Sequence, residues 1–72
     1  MSEPFNIGDL ILYRSLSGGV KGKVIDIVDD VDQSWLIFRV TQLNHRVYPR
    51  GLEVEVPLYS TWLRKRERYS HG

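Results

Sequence analysis

The 72-residue chain contains no cysteine. That excludes disulfides, thiolate metal sites and thiol redox chemistry. Its two histidines, His45 and His71, have no second histidine or carboxylate at metal-ligand spacing, so no zinc site is expected. No apolar run approaches the ~18 residues of a membrane span. Met1-Ser2-Glu3-Pro4 lacks the basic and apolar regions of a signal or transit peptide, so a soluble, cytoplasmic domain is expected. A strong charge of one sign is also missing: ten bases against nine acids leave a net +1. No repeat, low-complexity tract or linker interrupts the chain. With 42% hydrophobic and 26% charged residues, it has the composition of a folded globule. One domain is expected over 1–72, with a core of about 5–68 between short flexible termini. A chain this small buries only about 60% of its unfolded surface, and it has no staple to compensate.

The charges are unevenly placed along the chain. Residues 1–32 carry three bases against six acids, a net −3. Residues 33–72 carry seven bases against three acids, a net +4. Such asymmetry marks either an anion-attracting surface or two faces that neutralise each other.

Short apolar segments alternate with turn signals. Leu10 to Tyr13 follows Asn6-Ile7-Gly8-Asp9, and Ser15 to Gly19 reads as a loop because paired glycines and serines favour turns. Val20 to Val28 is rich in β-branched residues and stops at Asp29-Asp30-Val31-Asp32, a solvated hairpin turn. Trp35 to Leu43 combines β-branched and aromatic residues and reads as a strand. In Leu52 to Leu58, Leu52, Val54, Val56 and Leu58 alternate with Glu53 and Glu55, the period of a half-buried antiparallel strand. Pro57 belongs at a strand end or edge because it has no amide to donate. Tyr59 to Trp62 fits one tight turn before a last strand, Leu63 to Glu67. A helix over 58–69 is the alternative there, although two isolated turns are marginal. The expected fold is all-β: a five-stranded SH3-like barrel with one short helical turn before the last strand. Closing the sheet would hide its edges.

Phe5-Asn6-Ile7-Gly8-Asp9-Leu10-Ile11 resembles the F-x-x-G-D-x-V opening of many SH3-like barrels, and Gly22-Lys23-Val24 is similar to their G-x-V. The stretch from Val56-Pro57 to Leu63-Arg64 resembles the exit of retroviral integrase C-terminal domains. KOW and Tudor-type domains and the plasmid-encoded type II dihydrofolate reductases share the same outline. The resemblance implies the barrel, and through the KOW and integrase domains it implies nucleic-acid binding. The reductases imply an oligomeric enzyme, but this chain departs from their Val-Gln-Ile-Tyr motif. It has Val54-Glu55-Val56-Pro57, and Glu55 lining a shared pore would repel an anionic cofactor.

Alternation places Ile11, Val24, Leu36, Phe38, Val40, Val54, Val56 and Leu63 in the core, with Phe5 plugging one end. Gly22 fits a tightly bent strand or a bulge. A bulge near Asp26 would let Val24 and Ile27 both point inward. Leu10, Leu12, Ile25, Trp35 and Ile37 then fall on the opposite face and would form one outward apolar patch. A patch of that kind marks a protein partner or a second copy of the chain.

No constellation supports catalysis. The serines lack a nucleophile elbow, Gly18-Gly19-Val20-Lys21-Gly22 lacks phosphate-loop spacing, and the aspartates lack the glycine and distal glutamate of a calcium loop. No cofactor, metal or membrane partner is expected. His45 reads as a solvent-exposed loop histidine. The leading expectation is a non-catalytic module binding a protein or itself. The alternative is nucleic-acid binding through a basic-aromatic tip (Arg46, Tyr48, Arg50) and tail (Arg64, Lys65, Arg66, Arg68), with arginines on phosphates and aromatics on bases. A peptide groove lined by Tyr13, Tyr59 and Trp62, rimmed by Asp29, Asp30 and Asp32, is a further expectation.

Overall fold

A computed structural model describes residues 5–66. Five antiparallel strands form one sheet: β1 (Leu10–Ser15), β2 (Gly18–Asp29), β3 (Ser34–Val40), β4 (Glu53–Pro57) and β5 (Leu63–Lys65). The spatial order is β4-β3-β2-β1-β5, a meander whose last strand returns beside the first. All five expected strands are present. No pairing joins β4 to β5, so the sheet is not closed. Among the described residues there is no helix, and hence none long and apolar enough to cross a membrane. The helical turn expected before β5 is instead a pair of successive turns. Ser60 N–H donates to Pro57 C=O at 3.1 Å and Leu63 N–H to Ser60 C=O at 3.2 Å. The alternative helix over 58–69 is likewise replaced over its described part by these turns and β5.

Local chemistry explains each corner. Asp9 N–H donates to Asn6 C=O while Gly8 holds φ +98°, so positive φ at the third turn position uses the one residue without a Cβ penalty. The Asp9 carboxylate accepts from Asn6 N–H at 2.8 Å and pairs with Lys65 at 3.3 Å, tying the entry to β5. β1 and β2 meet in a two-residue loop, Leu16-Ser17, with Ser15 opposite Gly18. Strand β3 ends at Val40, three residues before the expected Leu43. Thr41 N–H still donates to Lys21 C=O, but Lys21 N–H donates to the Gln42 side-chain Oε1 at 3.0 Å rather than to the next rung, and the chain enters a long loop.

The register shifts between Val24 and Asp26, a bulge that leaves Ile25 without a partner. Val24 and Ile27 both face the core as a result, despite their odd spacing. The buried set is Phe5, Ile11, Val20, Val24, Leu36, Phe38, Val40, Val56, Leu58 and Leu63. Two of these, Val20 and Leu58, lie outside the expected core, and Val54 is only half-buried. The sheet folds over on itself to enclose them. The rings of Tyr13 (β1) and Phe38 (β3) lie 5.8 Å apart although β2 separates their strands. Gly22 sits at the bend, where an added Cβ would lie 2.4 Å from Phe38 Cδ2 and 2.8 Å from Arg39 O.

Candidate functional site

Tyr13, Tyr48 and Trp62 come from three separate segments and line one open groove of about 520 Å³. Tyr13 is placed by β1, where its cross-strand neighbours are Val20 and Leu63. Trp62 is placed by the second turn before β5, and its carbonyl accepts from Arg14 N–H at 2.8 Å. Tyr48 is delivered by the β3–β4 loop, where Asn44 takes φ +62° and His45 Nδ1 accepts the amides of both Val47 and Tyr48 at 3.1 Å. The His45 ring then meets Tyr48 edge-on at 5.3 Å. His45 is therefore a half-buried loop organiser, not the solvent-exposed residue expected. A His45→Ala variant should lose about 1 kcal/mol, the scale of one net hydrogen bond. Tyr48 should also gain solvent access, read as increased quenching or a broadened ring resonance.

The groove wall continues through Leu16, Ser15, Ser17 and Ser60. Leu16, at the hairpin tip, is 94% exposed, and Trp62 is 45% exposed. A second hollow of about 340 Å³ shares Ser15 and Trp62 with this groove and is lined also by Arg14 and Thr61. Trp62 thus takes part in both depressions, and neither lining includes a carboxylate. The expected groove differs in two respects. Tyr59 does not line it, and Asp29, Asp30 and Asp32 lie at the far end of β2 from the Leu16 tip.

The structure separates the residues of the expected nucleic-acid site. Arg46 and Arg50 are exposed on the β3–β4 loop, whereas Tyr48 packs inward against the core. Lys65 is engaged by Asp9. In the sheet order, β2 and β1 lie between β3 and β5, which carries Arg64. Arg66 is half-buried, its amide bonded to Leu10 C=O, and Arg68 lies outside the described residues.

The apolar set Leu10, Leu12, Ile25, Trp35 and Ile37 is half-buried throughout. Register puts these residues on the outward side, with charged residues as the direct cross-strand neighbours of several of them. Lys21 stands beside Leu12, Lys23 beside Leu10, and Arg39 beside Lys23. Trp35 instead neighbours Val28 and Pro57, while Ile37 lies between Asp26 and Glu55. The bulge adds Ile25 where strict alternation is interrupted.

Among the described residues, no three histidine, aspartate or glutamate side chains converge to hold a metal ion. No family model matches the chain, and no curated protein or solved structure is significantly similar to it.

Proposed function

We propose that the domain is a non-catalytic binding module, an SH3-like fold whose Tyr13–Tyr48–Trp62 groove takes an extended, uncharged apolar segment of a partner protein. The carrying observation is the convergence of three aromatics, from β1, the β3–β4 loop and the last turn, on an open groove with a hydroxyl rim. Large aromatics dominate protein-interface energetics because they bury much area with few rotors and offer a polar tip. The open groove suits a chain segment better than a small molecule, which needs a cavity that encloses most of its surface. The absence of carboxylates and the single flanking cation, Arg14, favour an uncharged apolar centre in the ligand. Strand order β4-β3-β2-β1-β5 and the bend at Gly22 support the SH3-like reading of the fold.

The test is selection of displayed random peptides on the immobilised domain, followed by amide-shift titration of an enriched peptide. Shifts should cluster at residues 13–17, 48 and 60–62. Trp62→Ala should weaken binding by about 30-fold, the scale of a 2 kcal/mol hot spot. Failure to enrich any peptide, or an enriched peptide indifferent to Trp62→Ala, overturns the proposal.

A further inference from the structure

The outward side of the sheet half built from β1, β5 and the first part of β2 carries five cations. Lys21 and Lys23 come from β2, Arg14 from β1, Arg64 from β5, and Arg66 follows β5 directly. Register makes Lys21 and Arg64 the two cross-strand neighbours of Leu12, with Arg14 one alternation further along β1. Lys23 is opposite Leu10, whose carbonyl holds the Arg66 amide at 2.8 Å. None of the five forms an ion pair among the described residues. Two carboxylates close to this half are already engaged, Asp9 by Lys65 and Glu53 by Arg39. The outward register positions of this half hold no acid: Leu10, Leu12, Arg14, Gly19, Lys21, Lys23 and Arg64 fill them.

The remaining acids among the described residues belong elsewhere. Asp29, Asp30 and Asp32 occupy the β2–β3 hairpin, while Asp26 and Glu55 flank Ile37 on the other sheet half. Because the sheet folds over a shared core, the outward sides of its halves point away from each other. Along β2, Asp29 lies six residues beyond Lys23, roughly 20 Å at the usual strand rise and well past the ~8 Å Debye length at physiological ionic strength. The hairpin acids therefore do not cancel the field above the basic side; only Asp26, three residues from Lys23, is nearer. A net charge of +1 therefore conceals a two-sided molecule.

We infer that this β1–β2–β5 side binds the phosphate backbone of single-stranded nucleic acid, with Trp62 at its border as a stacking surface. Lysine and arginine neutralise phosphates, and three of the five cations are arginines able to form paired hydrogen bonds. Unpaired bases add the second requirement, an accessible ring face. Trp62 lines a hollow with Arg14, and Tyr59, three residues earlier, is 72% exposed. A duplex offers no such faces for stacking, and an acidic protein or an anionic membrane has no bases to supply them.

The experiment is fluorescence anisotropy of the full chain with labelled oligothymidylate across a salt series. The logarithm of affinity should fall against the logarithm of salt with a slope of about −3.5 if all five cations engage, at roughly −0.7 per neutralised phosphate. Lys21→Gln with Lys23→Gln should reduce the slope by about 1.4. Trp62→Ala should weaken binding about tenfold or more without changing the slope. Asp29→Asn with Asp32→Asn should leave the slope unchanged, with circular dichroism confirming that each variant is folded. No salt-dependent binding, or a slope insensitive to the lysine pair, overturns the inference. Equal sensitivity to the aspartate pair reduces the effect to net charge and also overturns it. So does tighter binding to duplex, to polyglutamate or to phosphatidylserine vesicles than to the single strand.

Discussion

Gly22→Ala should remove a large share of the domain's stability, although it adds only one methyl group. The new Cβ would stand 2.4 Å from the Phe38 ring and 2.8 Å from the backbone oxygen of Arg39. Phe38 is fully buried at the centre of the core, so its ring has no room to retreat. The Arg39 carbonyl belongs to β3, so relieving that contact separates β2 from β3 at the bend. Overpacking commonly costs 1–3 kcal/mol, and a clash with both ring and backbone belongs at about 3 kcal/mol or more. The smaller unfolded-state entropy of alanine offsets only about 0.5–1 kcal/mol of it. A domain of this size holds roughly 4–11 kcal/mol in total. Its melting temperature should fall by about 12 °C or more, at roughly 4–8 °C per kcal/mol. Phe38→Leu removes one clash and leaves the other. The double variant should therefore be less destabilised than the sum of the two singles, by more than about 0.5 kcal/mol. A Gly22→Ala protein melting with the parent would show that the strands at the bend are not held this closely.

Leu58→Ala should cost about 2–5 kcal/mol, the range for a large-to-small change in a core. Leu58 is the one buried residue in the described connector between β4 and β5, and its amide donates to Ser34 C=O at 3.0 Å. The side chain pins the turns that carry Ser60 and Trp62, both of which line the groove. Stability and peptide affinity should therefore fall together, even at temperatures where the variant is still folded. Leu16→Ala separates the two effects. Leu16 projects into solvent at the rim, so its removal should change stability by no more than about 0.5 kcal/mol. Urea unfolding of both variants, paired with peptide titration, checks this. A Leu58→Ala variant with parental unfolding would show that the turns are held by backbone hydrogen bonds alone.

The strands were legible because each carries its own evidence. Val54 and Val56 alternate with Glu53 and Glu55, and the β-branched run in β2 stops at three aspartates. The bulge was legible from a local conflict, since Val24 and Ile27 cannot share a face without an extra residue between them. Gly22 was legible as a bend. Core residues beside turn signals were harder. Val20 and Leu58 each stand at the end of an expected strand, one after two glycines and the other after a proline, so neither was counted in the core, and only the folding of the sheet over itself buries them. Tyr48 was visible as an aromatic in a basic tip, but its inward direction depends on two amides meeting His45 Nδ1. The groove was half legible for the same reason. Tyr13 and Trp62 stand out in the sequence, whereas the exclusion of Tyr59 follows from the two successive turns. Charge was the least legible property. Dividing the chain in two assigns Arg14, Lys21 and Lys23 to an acidic half, yet antiparallel pairing sets them beside Arg64 and Arg66. In β2, Asp29 lies six residues beyond Lys23, roughly 20 Å at the usual strand rise, and that length carries the hairpin aspartates away from the lysines.

The adjacency of β1 and β5 has a topological consequence. The chain enters the sheet at Leu10 and leaves it at Lys65 on neighbouring strands, with Asp9 paired to Lys65 and Leu10 C=O bonded to Arg66 N–H. A fold whose entry and exit lie side by side makes a self-contained cassette. It can be spliced into a surface loop of a host protein without prising the host apart, because the two junctions stand close together. Equally, a short linker can join its ends and the ring can be reopened elsewhere. The β2–β3 hairpin is the place to reopen it, since Asp30 to Gln33 are exposed and line neither hollow. A permutant cut there keeps the aromatic groove and the basic side intact while reversing the order in which the two sheet halves emerge from the ribosome.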